Sequence, residues 1–268
     1  MLPKLNSTSN QSSKGSQENA SHRVTSQDIK GSLSSWGMWE RLVPDKIADD
    51  PASQRILQIH LERYRTAACY AKDKRILDIA CGTGYGSQML HLSGALSVVG
   101  VDLSASAIAY AREHYQFPHV KFICANAEMF EISEQFDIVV SFETIEHLLQ
   151  PDKFLQRIHN LLAREGYLLL SVPLGETRHL DPYHLHAFSQ QDIFNLLEET
   201  GFSVEEYGCD DYSLSYRDLL KWQQLYPESQ ASLSDLLFTR RGHQCILDLI
   251  RHGGFHIPQL FCVCSRSH

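Results

Sequence analysis

From residue 78 the chain reads Asp78-Ile-Ala80-Cys-Gly82-Thr-Gly84-Tyr-Gly86-Ser87, and Asp102 follows eighteen residues after Gly84. Glycines at 82 and 84 carry no Cβ, so backbone there can pass close to a ligand. A helix start behind them would offer N–H groups with no intrahelical partner. An acid ending the next strand can accept both hydroxyls of an adenosine ribose. These residues therefore point to an adenosine-containing ligand. A dinucleotide loop wants G-x-G-x-x-G, yet counting from Gly82 the last position is Ser87. Asp78, four residues before Gly82, would oppose a pyrophosphate and suit a ligand bearing an ammonium group. Both details argue against a nicotinamide-dependent oxidoreductase.

Histidine is the second chemical signal, with 14 residues concentrated in the second half. Its side chain titrates near neutrality and suits proton transfer. His147 stands in FETIEHL with Glu143 and Glu146 four and one residues before it. Glu143, one helical turn away, could orient the ring. His147 reads either as a base or as a residue packing a helix start. His184 and His186 stand in HLDPYHLHAFS, with three readings open: a base or substrate contact, loop packing, or a metal completed by Asp181 or His179. The spacing follows no zinc pattern, so no metal is expected. Cys262 and Cys264 share one face of a presumed strand and read as core rather than as metal or redox ligands.

Alternating elements must position these residues. Apolar spacing predicts a helix over 52–71, a strand at 75–80, a turn running into a helix over 82–94, and a strand at 96–102. A helix over 104–115 follows, with Ser104 as its N-cap. Strands are predicted at 120–127 and 136–142. Pro151 opens a helix with Gly166 past its end, then comes a strand at 167–173. A helix capped by Ser189 is stopped by Gly201, and strands at 202–208 and 259–266 close the pattern. Strands alternating with helices imply an α/β fold: a Rossmann-like, doubly wound parallel sheet. Ligands then bind beyond the carboxyl ends of the strands, where 82–86, 102–103, 143–147 and 183–186 should lie.

The string LDIACGTGYGS resembles the first motif of class I S-adenosylmethionine-dependent methyltransferases. Asp102 matches that family's ribose-binding acid, and ANAE (125–128) is similar to its adenine-holding motif. SFETIEHL (141–148) resembles the fourth-strand motif of the branch acting on small molecules and glycans. The likeness continues through LLAREGYLLLSVP and spans roughly 52–208. It implies a seven-stranded sheet whose last strand runs antiparallel between its neighbours. The helical patterns DLLKWQQLY and LLFTRRGHQCILDLI mark a helical insertion between strands six and seven. It implies S-adenosyl-L-methionine as cofactor: Asp78, Ala80, Gly82 and Gly84 against the methionine portion, Asp102 and Leu103 on the ribose and one adenine face. Asn126 and Ala127 take the adenine edge, and Phe142 lies near the donor end. Where the family often has Asp, this chain has Asn126, whose carbonyl oxygen still accepts.

What the resemblance implies is transfer of a methyl group to a hydroxyl of a small molecule, a secondary metabolite or a sugar. N-methylation is the runner-up, and a non-catalytic S-adenosylmethionine-binding module is the alternative of another class. His147 and His184 are the catalytic candidates. Tyr183, His186 and Trp39 are the substrate candidates. Trp36, Trp39 and Arg41 precede the first core helix, either as a lid over the cofactor or as a patch on the core.

Composition sets the outer bounds. Of 268 residues, 43% are hydrophobic and 21% charged, which is globular. The net charge of -8 opposes a nucleic-acid partner. No apolar run approaches a membrane helix, MLPKLNSTSN lacks the apolar core of a signal peptide, and the seven scattered Cys fit reduced thiols. A cytoplasmic location is expected. Residues 1–35 hold ten Ser and no aromatic residue, so they read as a disordered tail before a domain at 36–268. Residues 210–257 form the helical insertion, a cap or an element for pairing into a homodimer.

Overall fold

The computed structural model describes residues 42–44, 47, 51–175, 183–215 and 254–267, with isolated residues between 217 and 251. Helix α1, Pro51–Ala68, leads into strand β1, Arg75–Ile79. Then follow α2 (Tyr85–Leu92), β2 (Ser97–Asp102), α3 (Ala105–His114), β3 (Val120–Cys124) and β4 (Phe136–Phe142). A 3-10 turn at Ile145–His147 precedes α4 (Pro151–Leu161), β5 (Leu162–Pro173), α5 (Gln190–Glu199), β6 (Phe202–Ser215) and β7 (Gly254–Arg266). The strands form one sheet in the order β3-β2-β1-β4-β5-β7-β6. Strands β1 to β5 run parallel to one another, and β7 runs antiparallel between β5 and β6. The expected topology is therefore present.

Successive residues of a strand point to opposite faces, and here both faces are buried. Ile76, Val98 and Ile138 join α1 and α2 in one apolar cluster. Their neighbours Leu77, Val99 and Val139 join Phe154, Leu155 and Ile158 of α4 and Ile193 and Leu197 of α5 in the other. That two-sided burial is why β1, β2 and β4 read as continuous apolar runs. Each fully buried Leu, Ile or Phe is worth about 1.5–3 kcal/mol, so the sheet is the rigid platform for its end loops. The helices start as their sequences ask. The Ser104 hydroxyl accepts the Ala107 N–H at 3.2 Å, Pro151 occupies the first turn of α4, and Ser189 and Asp192 form a reciprocal capping box.

Two boundaries differ from the sequence reading. Helix α4 stops at Leu161 instead of running to Gly166, because Leu162 already pairs with Phe136. The ladder then shifts register before Tyr167 meets Ile138, so 163–166 belong to an irregular start of β5. Strands β6 and β7 also extend past 208 and before 259, pairing from Phe202↔Arg266 to Ser215↔Gly254, so the segment between them is 216–253. The expected tail at 1–35, Trp36, Trp39, Arg41, His179, Asp181 and nearly all of 216–253 lie outside the described residues.

Candidate active site

Strand β1 leads left to β2 and β3, and β4 returns on the other side of β1. The crevice where the order reverses, at the carboxyl ends of β1 and β4, is where open α/β sheets bind ligands. Both strand ends carry a non-glycine residue in the left-handed region, Ala80 at φ 59° and Glu143 at φ 47°. Such backbone costs about 1–3 kcal/mol and collects at functional sites.

Gly82 (φ 55°) and Gly84 (φ 87°) continue the turn after Ala80, and the Cys81 N–H donates to the Val101 carbonyl, tying the loop to β2. A Cβ at Gly84 would stand 2.7 Å from the Ala111 Cβ, so this glycine also lets α3 pack close. Asp102 fixes the loop from the other side. One carboxylate oxygen accepts the Gly82 N–H at 3.0 Å and the other the Ser104 N–H at 2.7 Å. Each carboxylate oxygen has capacity for more than one donor, so this doubly anchored acid fits two ribose hydroxyls. Leu103 beside it is 65% exposed, an apolar surface for one face of a base. The Ala125 N–H donates to the Asp102 carbonyl, placing Asn126 and Ala127 alongside. The Asn126 side-chain oxygen accepts the Glu128 N–H at 2.8 Å, which orients its amide. These residues fit an adenosine moiety.

Asp78 is wholly buried. Ser87 donates to one of its oxygens at 2.6 Å and Tyr64 to the other at 3.0 Å. Burial is the main force raising its pKa to about 7; nearby Asp102 adds to the rise, while the two hydroxyl donors work against it. Tyr64 is held in turn by edge contacts with Tyr85 and Phe142, at 5.6 and 5.2 Å between ring centroids. Gly86 permits this: a Cβ there would stand 2.0 Å from the Tyr64 ring. Ser87, which breaks the dinucleotide pattern, thus has a positive role. Tyr64 was visible in the sequence only as one apolar helical position, and nothing in its spacing marked the bond to Asp78.

Beyond β4 the acids divide their work differently from the expectation. Glu143 does not serve His147; its carboxylate pairs with Arg63 of α1 at 3.0 Å and accepts from Ser171 of β5 at 3.0 Å. Arg63 also donates to Gln259 of β7 at 2.7 Å, so Glu143 ties α1, β5 and β7 to the rim. The reason is local geometry: 143–147 is a left-handed residue followed by a 3-10 turn, not an α-helix, so residues 143 and 147 are not stacked one turn apart. Glu146, 1% exposed, lies beside His147 instead, with Oε1 3.9 Å from His147 Nε2.

The loop after β5 closes on this turn. The N–H groups of Leu185 and His186 both donate to the Glu146 carbonyl, at 2.8 and 3.2 Å. His147 Nδ1 donates to the Tyr183 carbonyl at 3.2 Å, and the rings of His147 and His184 meet edge to face at 4.6 Å. A carbonyl only accepts, so Nδ1 is the donor in that bond, and Nε2 is the nitrogen on the Glu146 side. His186 is used differently: its Nε2 bonds the Leu148 carbonyl at 2.7 Å and its ring stacks on Phe188, which anchors the loop. Tyr183 is exposed, and Phe142 is packed between Tyr64 and Phe261.

Residues 77–170 match the family described as methyltransferase domain. The chain carries a class I S-adenosylmethionine-dependent methyltransferase domain. S-adenosyl-L-methionine is the cofactor of such a domain. A Mycobacterium tuberculosis (strain ATCC 25618 / H37Rv) protein named probable S-adenosylmethionine-dependent methyltransferase is 30% identical over 172 residues, 61% of this chain and 60% of that one. A ubiquinone biosynthesis O-methyltransferase of Nitrobacter winogradskyi is 34% identical over 131 residues, 44% of this chain and 50% of that one. The chain thus spans about half to 60% of the length of these curated relatives. Among solved structures, magnesium protoporphyrin IX methyltransferase of Synechocystis PCC 6803, with S-adenosylmethionine bound, superposes with a TM-score of 0.54 at 17% identity, covering 86% of this chain and 91% of that one. At that identity the likeness speaks for the fold of the methyltransferase domain. No helix among the described residues is long and apolar enough to cross a membrane.

Proposed function

We propose that this methyltransferase domain transfers the methyl group of S-adenosylmethionine to a hydroxyl of a small molecule, a secondary metabolite or a sugar, in the cytoplasm. The observation that carries the reading is the cluster of Glu146, His147 and His184 at the rim after β4 and β5, beside the switch point. A hydroxyl acceptor must lose a proton, and a placed base is worth about 10²–10⁴-fold in rate. When bound, the cofactor supplies an activated methyl on a sulfonium.

The chain's own residues do the rest. Asp102 binds the ribose, Leu103 covers an adenine face, and Asn126 and Ala127 hold its edge. Gly82, Gly84 and Ala80 shape the bed of the methionine portion, with Asp78 beneath it and Phe142 near the donor end. Tyr183, His184 and His186 border the acceptor. Their work is alignment, since holding the reacting atoms in line can supply about 7–11 kcal/mol of the barrier. With no cation at the cluster, His147 Nε2 is the atom placed to take the acceptor's proton. The net charge of -8 supports a small acceptor rather than a nucleic acid. The relatives named as ubiquinone biosynthesis O-methyltransferases support oxygen as the acceptor atom.

The test uses methyl-labelled S-adenosylmethionine and a panel of hydroxylated and amine acceptors. Label in an ether product with stoichiometric S-adenosylhomocysteine is the expected result. Label only in amine products would move the reading to N-methylation. Saturable cofactor binding without turnover on any acceptor would favour a binding module.

A further inference from the structure

The same cluster has the make-up of a metal site. Glu146, His147 and His184 each offer one ligand atom, and these atoms all lie within 4.8 Å of one another. We propose that Glu146, His147 and His184 hold a divalent transition-metal cation of the zinc type, which binds the acceptor's oxygen in its open position. The inference rests on the methyltransferase reading above and refines how the acceptor's proton is released.

Four features support it. Two imidazoles and one carboxylate are a donor set that zinc accepts in catalytic sites, leaving a further position open. The His147 Nδ1–H to Tyr183 carbonyl bond is the outer contact that fixes the tautomer of a metal-bound histidine and turns Nε2 toward the ion. Glu146 Oε1 and His147 Nε2 stand 3.9 Å apart, too far for a hydrogen bond. Two ligands on one zinc ion stand about 3.4 Å apart, so a small side-chain rotation brings both onto it. Finally, the ligands are pre-set on two loops that are themselves tied together, since Leu185 and His186 both donate to the Glu146 carbonyl.

The chemistry balances without another reactant. The acceptor hydroxyl, on binding the cation, releases its proton to solvent. The oxygen lone pair forms the new O–C bond as the C–S bond breaks, and the electron pair of that bond stays on sulfur. The products are a methyl ether and S-adenosylhomocysteine. Binding to a metal lowers the pKa of an oxygen ligand strongly, so His147 acts as a ligand rather than as the base.

The test is calorimetric titration of the chelator-stripped full chain with Zn²⁺ alone, then with S-adenosylhomocysteine. One Zn²⁺ per chain is expected, weakened about tenfold or more by His184→Ala and by the near-isosteric Glu146→Gln, while both variants keep S-adenosylhomocysteine affinity within about twofold. Co²⁺ should give a visible absorption band that His184→Ala removes. Asp102→Ala should do the reverse: lose S-adenosylhomocysteine and keep Zn²⁺. Absence of stoichiometric Zn²⁺ binding, or binding unchanged by both cluster variants, overturns the proposal. If Zn²⁺ fails to bind while S-adenosylhomocysteine binds and methyl transfer survives chelation, the metal alone is refuted. If Zn²⁺ binds and S-adenosylhomocysteine does not, the methyltransferase reading fails and the metal site stands.

Discussion

Replacing Asp102 by Ala removes the group on which the cofactor site converges. In the folded chain its carboxylate accepts the N–H groups of Gly82 and Ser104, and the bound ribose adds two hydroxyl donors. Hydrogen bonds to a charged group are worth about 1.5–3 kcal/mol each. Two such bonds give about 3–6 kcal/mol, from which water entering the truncated site recovers a part. A net loss near 3 kcal/mol, at about 1.4 kcal/mol per factor of ten, is about 150-fold in the dissociation constant of S-adenosylhomocysteine. The same substitution deprives two backbone N–H groups of their acceptor, so stability should fall by about 1–3 kcal/mol. Calorimetric titration reads the affinity and a urea melt reads the stability. Asp102→Asn separates the two effects: its remaining carbonyl oxygen keeps one backbone donor satisfied, so it should be the more stable variant yet still bind weakly. A folded Asp102→Ala protein that binds S-adenosylhomocysteine within twofold of the wild type would refute the ribose assignment.

Gly86→Ala should destabilise the fold by about 3 kcal/mol or more in denaturant, because its methyl group would stand 2.0 Å from the Tyr64 ring and push Tyr64 off Asp78; wild-type stability would dismiss that packing. Asp78→Asn tests the buried carboxyl. Its folded pKa of about 7 lies above the unfolded value near 3.8, so between about pH 4 and 7 the unfolded chain ionises first. Stability should therefore fall by up to about 4 kcal/mol as pH rises through that window. The variant should flatten this slope in melts across pH, and an unaltered slope would assign it to other groups. Ser189→Ala removes the hydroxyl half of the capping box on α5 and leaves the bond from the residue-189 N–H to Asp192, so it should cost about 1 kcal/mol in a urea melt without changing S-adenosylhomocysteine affinity.

Where sequence and structure agree, one strong local signal had only one physical solution. The alternation of buried strands and capped helices admits a doubly wound sheet, and Gly82, Gly84 and Asp102 fall at its carboxyl edge because their strands end there. The misjudged boundary of α4 came from apolar residues that satisfy two periods at once. Leu155, Ile158 and Leu162 continue a helical stripe, yet Leu162 is claimed by pairing with Phe136. The extra length of β6 and β7 was hidden for the opposite reason. The Cys209–Ser215 stretch carries few apolar residues, and Tyr207, Gly208 and Cys209 are exposed, so no alternation against a core marked it as strand. Assigning Glu143 to His147 assumed an α-helix where the chain makes a left-handed step and a 3-10 turn. Bonds between distant segments had no signal at all: Arg63 to Glu143 and Gln259, and Tyr64 to Asp78. The meeting of His147 with His184 was legible only as two loops at one edge of the sheet. The histidine surplus looked compatible with a metal only through His184 and His186 in one loop. The grouping the fold builds takes one histidine from each of two loops and adds Glu146.

The most direct measurement is a crystal structure with S-adenosylhomocysteine bound. The account predicts both ribose hydroxyls on Asp102, adenine between Leu103 and Asn126–Ala127, and the sulfur facing the rim that carries Glu146, His147 and His184. A ribose bound away from Asp102, or a sulfur turned away from that cluster, would contradict it.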